Sequence, residues 1–353
     1  MKELYANTIE EGVWRYIDLF SRYEFLKKTC NDKEKAKHIS FCLKQAKEYY
    51  ESAKISSFLT KPLMLYYGML NLVKALILLK DPTIKIDSHL KKHGIGNGKK
   101  TIDSLFSLSC IIGKKKYSIF PRLLEIARYD RCKVSVSIDG TGAAIEEKAD
   151  YIHQKNFLGR NYKVSELIVL LPELFDLVLE ETKLLTRSVP LLNFKYNIRN
   201  DKQNRKLFYS GGRISFQHNR YKKVKDIIKR HEKKVYLRMW SFEEDKWDVV
   251  TYKMEKEVEK LIHPNIRETI FRKNYMLLPD FKKFNLSEIA IHFMLIFILG
   301  DTARYSPYIW SRLMERRIRE SRIIETFLDL TTIKFPLLIL RELRDELIYF
   351  KQI

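Results

Sequence analysis

Tyr67, Asn71 and Lys74 recur at i, i+4 and i+7 inside KPLMLYYGMLNLVKALILL, Lys61 to Leu79. A phenol, an amide and an amine therefore share one helical face. The other faces carry Leu63, Met64, Leu70, Leu72, Val73, Leu76 and Ile77. A helix that is apolar all round is usually buried. An amide buried without a partner costs about 1–3 kcal/mol, and an unpaired charge costs more. The stripe must then meet polar groups from another element, and Asp301 is a candidate carboxylate. Lys61, Tyr67, Asn71, Lys74, Asp301 and Tyr305 are the expected members of a buried polar network. Two readings stand side by side. One is a structural hydrogen-bond network inside a bundle. The other is the wall of a ligand or catalytic cleft, with a charge partner that changes on binding.

A second kind of chemistry lies further along. Residues 194–234 hold 14 Lys and Arg against 3 Asp and Glu, a net +11, half of the chain's formal +22. Tyr196, Phe208, Tyr209, Phe216 and Tyr221 are interleaved. Cations grip phosphates and aromatic rings stack on unpaired bases, so the pattern suits single-stranded nucleic acid, RNA favoured. Lys195, Arg199, Arg205, Lys206, Arg220, Lys222 and Lys223 are the expected contacts; a solvated, Lys-rich surface is the plainer alternative. Arg312, Arg316 and Arg319 form another basic stripe at i, i+4 and i+7, partly neutralised by Glu315 and Glu320.

Other chemistries are poorly supported. HGIGNGKK (His93–Lys100) has glycines and lysines that suit phosphate, but it lacks the spacing of a P-loop. The histidines show no HExxH or paired spacing, and Cys30, Cys42, Cys110 and Cys132 form no CxxC pair. No metal and no cofactor is expected. No GxSxG elbow exists for a hydrolase triad. The opening MKELYANTIEEGVW reads as no signal peptide, and IAIHFMLIFILG is too short to span a bilayer. The expectation is a cytoplasmic protein with no membrane partner.

The elements that must position these residues follow from periodicity and caps. Thr8 and Glu11 open a helix running to Lys28, and Asn31 with Glu34 opens a second. Thr60 caps the quoted helix, which ends near Lys80. Val164–Leu185 reads as a helix with a Pro near its start, and KKKYSIFPRLLEIA and KVSVSIDGTG as strands and turns. Residues 191–254 contain the strand-like runs LLNFKYNI, RKLFYS, GRISFQH, KKVYLRMW and WDVVTYKM. Ser287 opens a helix that Gly300 is expected to end. The fold class is mainly α with a β-containing insertion (α+β). Helical ends 1–86 and 285–353 form one bundle, and 87–284 is a mixed middle with its basic strand-rich part at 191–254.

AKEYYESAKISSFLTKPLMLYYGMLNLVKALILL followed by HGIG resembles the YaaC family of bacterial proteins. VSELIVLLPELFDLV and GDTARYSPYIW follow in the order that this resemblance implies. It covers most of the chain and supplies no mechanism. YYGMLNLVKALILL with His89 or His93 is also distantly similar to HEPN domains. That resemblance implies a HEPN-like helical bundle formed by the terminal helices. Many such domains are ribonucleases or RNA-binding elements of toxin and phage-defence systems. Their signature is an Arg, four to six residues, then a His, which together activate a ribose 2′-OH. The expected place for it is near Arg304, where RYSPYIW holds no His. Arg213 to His218, RISFQH, has the spacing but sits in a strand-like run.

Three functional readings result. The leading one is a nucleic-acid-binding component, of a bacterial anti-phage defence system. The second is a metal-independent ribonuclease using Arg213 and His218, or a variant site of Lys74, His93 and Arg304. The third is a non-catalytic scaffold that binds an acidic protein or a nucleotide. A homodimer and a multi-protein complex both remain open.

Overall fold

The structure, a computed structural model, describes residues 2–30, 32–84, 90–98, 103–113, 118–127, 157–182, 189–191, 193–201, 206–217, 236–242, 247–257, 266–268, 275–277, 286–345 and 348–352. It begins with strand β1 (Lys2–Ala6) and helices α1 (Ile9–Ser21), α2 (Tyr23–Thr29), α3 (Lys33–Ile55) and α4 (Lys61–Lys80). Thr8 caps α1, its hydroxyl accepting from the Glu11 N–H at 3.1 Å. The single helix expected over residues 8–28 is two, because Arg22 is extended at φ −68°, ψ 122°. The Ser21 carbonyl, which would serve Phe25 in a continuous helix, accepts from the Ser40 hydroxyl instead. Asp32, not Asn31, caps α3, accepting from Glu34 and Lys35 N–H groups at 2.9 and 3.1 Å. Thr60 precedes α4, but its side chain makes no capping bond to the helix.

Helix α4 is the axis of the molecule. Its most apolar 18-residue window is long and apolar enough to cross a membrane, yet 72% of that window is buried inside the fold. The covering comes from α3, from α5 (Ile119–Ile126), and from two later helices, α8 (Glu288–Tyr305) and α10 (Ile318–Arg344). Gly68 lets α3 approach: a Cβ there would lie 2.7 Å from the buried Tyr50 ring. Gly300 does the same for α8, where a Cβ would meet the Pro62 carbonyl at 3.2 Å and Tyr66 Cβ at 3.3 Å. Gly300 therefore does not end its helix. It lies inside α8, conserving space for α4, and the helix runs on to Tyr305. Ser287 caps α8 as expected, accepting from Ala290 N–H at 3.2 Å.

The two ends of the chain close on each other. Strand β1 pairs in parallel with β12 (Ile348–Gln352), Lys2 opposite Ile348 through Ala6 opposite Gln352. Lys61 and Lys80, at the two ends of α4, form ion pairs with Asp329 and Asp345. Helix α9 (Pro307–Arg316) turns 115° from α8. The break between α9 and α10 at Arg317 splits the arginine stripe: Arg312 and Arg316 lie on α9 and Arg319 on α10. Glu320 accepts from Ser104 Oγ and Leu105 N–H at 2.7 and 2.8 Å.

The middle region begins with a three-stranded antiparallel sheet of order β2-β3-β4, from β2 (Ile95–Asn97), β3 (Ser109–Ile112) and β4 (Asn161–Lys163). IFPRLLEI, expected to be a strand or turn, is helix α5. Ile119, Phe120, Leu123 and Leu124 bury one helical face, and Pro121 is tolerated in the first turn. The helix expected over 164–185 is interrupted. Pro172 lacks an N–H and holds Leu171 extended, leaving α6 (Val164–Ile168), a 3₁₀ turn at Pro172–Leu174 and α7 (Phe175–Glu181). KVSVSIDGTG lies outside the described residues.

The strand-like runs do become strands. These are β5 (Val189–Leu191), β6 (Asn193–Asp201), β7 (Lys206–Gln217), β8 (Tyr236–Phe242) and β9 (Trp247–Glu257), with β10 (Ile266–Glu268) and β11 (Tyr275–Leu277) after them. They build a four-stranded antiparallel sheet of order β6-β7-β9-β8 and a three-stranded one of order β10-β11-β5. The protein is thus mainly helical with a β-containing middle.

One buried ionic cluster was not visible in the sequence. Lys334 of α10 is fully buried, and its ammonium donates to both Glu173 oxygens at 2.7 and 2.6 Å and to Glu288 at 3.0 Å. Burial pulls the Lys334 pKa down, but the two carboxylates outweigh it and hold it raised. The cluster joins the middle region to α8 and α10.

Candidate functional site

The polar stripe of α4 faces a matching stripe on α3. Cys42, Gln45 and Tyr49 run antiparallel to Lys74, Asn71 and Tyr67, so the two sets meet pairwise along the helix seam. Tyr49 stacks on Tyr67 with ring centroids 5.5 Å apart. The Asn71 amide donates to Gln45 Oε1 at 2.9 Å. Burial pushes the Cys42 thiol up, and the nearby Lys74 ammonium opposes that. The partner expected for Asn71 and Lys74, Asp301, is engaged elsewhere: it accepts from the Asn97 amide at 2.5 Å. The mid-helix amide is satisfied across the α3–α4 seam because those helices pack side by side over their whole length.

At the α8 end of this seam, Arg304 donates to the Tyr67 phenol oxygen at 2.7 Å. Its guanidinium carbon also lies 4.9 Å from the Tyr305 ring centre. Tyr305 is 64% exposed, so it does not belong to a buried network. Lys61 is buried as expected, but it belongs to the α4–α10 contact through Asp329. The members that do gather are Tyr67, Asn71 and Lys74 with Asp301 and Arg304 close by.

His93 completes the group from the segment before β2. Its Nδ1 shares a 2.8 Å hydrogen bond with the Tyr66 phenol, and the rings lie 5.8 Å apart. Burial lowers the His93 pKa first, and the charges of Lys74 and Arg304 lower it further. The imidazole is therefore held neutral near pH 7. Burial drives Tyr66 in the opposite direction, keeping its phenol protonated. If Nδ1 accepts from that phenol, Nε2 carries the proton and presents a donor. If Nδ1–H donates, Nε2 is a base. Residues from three segments of the chain thus bear on one another: Tyr66 bonds His93, Tyr67 bonds Arg304 of α8, and the charges of Lys74 and Arg304 act on the imidazole.

Of the variant site expected from the sequence, Lys74 and Arg304 both act by charge on His93, and Arg304 is bound to Tyr67, seven residues before Lys74 on α4. Tyr66, Asn97, Gln45 and Tyr49 were not among the expected residues. The i, i+4 spacing of Gln45 and Tyr49 on α3 was an available signal. HGIGNG, the part of that segment among the described residues, is not a free loop: Ile95–Asn97 is a strand, and Gly94 adopts φ +72° against Ser118 and Pro121. Among the described residues, no group of three His, Cys, Asp or Glu gathers as metal ligands.

The described part of the basic segment, residues 194–201 and 206–217, lies in the four-stranded sheet. Paired antiparallel residues share a face, and alternate residues take opposite faces. Lys195, Arg213, Thr251 and Arg238 form one row across all four strands. The adjoining row on that face is Asn197, Gly211, Lys253 and Tyr236. On the opposite face, the row between these two is Tyr196, Gly212, Tyr252 and Leu237, and the row flanking the cationic one on its other side is Phe194, Ile214, Val250 and Met239. Arg199 pairs with Phe208 and Lys206 with Asp201, beyond a bulge. Arg205, His218, Arg220, Lys222 and Lys223 lie outside the described residues. Arg238 and Lys253 were not singled out from the sequence, although KKVYLRMW alternates.

No curated protein and no solved structure matches the chain. The family model described as YaaC-like Protein matches residues 15–343, spanning both terminal helical parts and the middle between them, and the chain belongs to that family.

Proposed function

We propose that this YaaC-like protein is a nucleic-acid-binding component that holds single-stranded RNA on the basic face of its four-stranded sheet. The carrying observation is the register row of Lys195, Arg213, Thr251 and Arg238, three cationic positions spaced across neighbouring strands. The flanking row on the opposite face is apolar, and the cationic row is the one whose charges suit phosphate. Tyr236 and Trp240, on the same face as Arg238, offer rings for bases. The strongly positive net charge favours capture of a polyanion.

The place of such a component in cytoplasmic anti-phage defence rests on the likeness of YYGMLNLVKALILL to HEPN helices. Protection of a bacterial host against phage tests it. Binding itself is tested with a labelled single-stranded RNA and the Lys195→Glu/Arg213→Glu/Arg238→Glu protein. Affinity lost in this variant, with the fold retained by circular dichroism, supports the reading. Unchanged affinity rejects it. Metal-independent cleavage that disappears in His218→Ala would make the chain a ribonuclease. Capture of an acidic protein with no RNA affinity would make it a scaffold.

A further inference from the structure

We infer that Lys74, His93 and Arg304 form a binding site for a phosphoryl group, the terminal phosphate of a nucleotide or of a strand. The site lies on the helical seam and does not rest on the sheet reading.

Lys74 is half-buried on an otherwise apolar helix, and Arg304 stands at the α8 end of the same seam. Neither forms an ion pair with a carboxylate among the described residues. An ammonium partly withdrawn from water gains from a nearby anion. The fold also withholds Asp301. Asp301 sits one helical turn before Arg304, but its carboxylate accepts from Asn97 instead of closing on the guanidinium. Two cations are thereby left for a ligand.

The donors are held in place before any ligand arrives. Arg304 is tied to the Tyr67 phenol, and Tyr67 is stacked on Tyr49. His93 is anchored by Tyr66 at 2.8 Å. With Nδ1 accepting from the phenol, its Nε2–H becomes a third donor. Donors carried by α4, by the segment before β2 and by α8 do not form one planar fork, and such a set suits a tetrahedral group with three acceptor oxygens better than a flat carboxylate. Exposed Tyr305, next to Arg304, offers a ring face for an attached base.

The titratable groups around His93 are Tyr66, Tyr67 and Lys74 from α4, with Cys42 behind Lys74 on α3, and Asp301, Arg304 and Tyr305 from α8. A bound phosphate dianion adds negative charge to that set. It should raise the His93 pKa, a change that a structural role for the cluster would not produce.

The test uses the full chain with inorganic phosphate, adenosine 5′-monophosphate and a short oligoribonucleotide bearing either a 5′-phosphate or a 5′-hydroxyl. Calorimetry reads affinity, and NMR of the His93 ring reads its titration. The expected result is binding that weakens about tenfold or more in Arg304→Gln and in Lys74→Gln, with His93 titrating at higher pH when phosphate is bound. Arg304 is exposed, so its variant keeps the test valid even if Lys74→Gln unfolds. Tighter binding of the mononucleotide than of the 5′-phosphorylated strand identifies a free nucleotide as the source, and the reverse order a strand end; either supports the site. Equal affinity for the 5′-phosphate and 5′-hydroxyl strands with no binding of the mononucleotide overturns it. So does phosphate binding that is unchanged in both variants, or no binding of any probe at millimolar concentration.

Discussion

Arg304, near the end of α8, donates to the phenol oxygen of Tyr67 in α4 at 2.7 Å, across 237 residues of sequence. The bond ties the two terminal helical parts together at the mouth of the polar seam. Removing it with Tyr67→Phe should lower stability by about 1–1.5 kcal/mol, as for a partly exposed hydrogen bond to a charged group. Urea unfolding of the variant checks this. The stacking on Tyr49 survives the change, so a much larger loss would mean that the phenol holds more than Arg304.

Close helix packing makes a second prediction. Gly68→Ala places a methyl group 2.7 Å from the buried Tyr50 ring, and Gly300→Ala one 3.2 Å from the Pro62 carbonyl. Overpacking costs about 1–3 kcal/mol, while alanine returns up to about 1 kcal/mol of helix propensity. Gly68→Ala should therefore be clearly destabilising, and Gly300→Ala less so. Thermal unfolding of both variants ranks them.

The buried ammonium makes a third. Lys334→Met leaves the Glu173 and Glu288 carboxylates facing each other in the core, a loss of about 3–5 kcal/mol. Without the ammonium, those carboxyls should have folded-state pKa values raised above their unfolded ones. The variant should then regain stability as pH falls toward the ordinary carboxylate range, while the parent does not. Adding Glu288→Gln should recover part of the loss at neutral pH, and a double-mutant cycle measures it.

His93 makes the fourth. Its folded pKa lies below the usual 6.5, through burial first and then Lys74 and Arg304. The neutral ring is the form the fold favours. Its stabilising contribution is present above pH 6.5 and is lost as pH falls through the folded pKa. Arg304→Gln should move the His93 titration back upward, though only partly, because burial is the larger cause. NMR titration of the ring in both proteins decides the point.

Much of this architecture could be seen in local spacing. Thr8 and Ser287 cap where their sequence contexts predict, and α4 ends at Lys80 before Asp81 and Pro82. The strands β5 to β9 fall on the alternating runs. Pro172 broke its helix locally, but several other departures share a cause. Arg22 interrupts a helix because Ser40, on another helix, takes the carbonyl of Ser21. Gly300 reads as a stop signal but serves a contact with α4. Asn71 finds Gln45 instead of Asp301, and Lys334 draws its partners from two other segments. Each depends on a neighbour brought near by packing, which spacing along one helix does not show. Lys74, His93 and Arg304 were each noticeable as residue types; their meeting place was set by the fold.

RNA held through its backbone by the cationic row of the sheet, as proposed above, would be released by salt. The most direct measurement is the salt dependence of single-stranded RNA affinity, comparing the parent with Lys195→Gln/Arg213→Gln/Arg238→Gln. Each phosphate contact on a single strand contributes about 0.7 to the slope of log affinity against log salt. A steep slope is expected in the parent and one shallower by about 2 in the variant. Identical slopes in two folded proteins would contradict it.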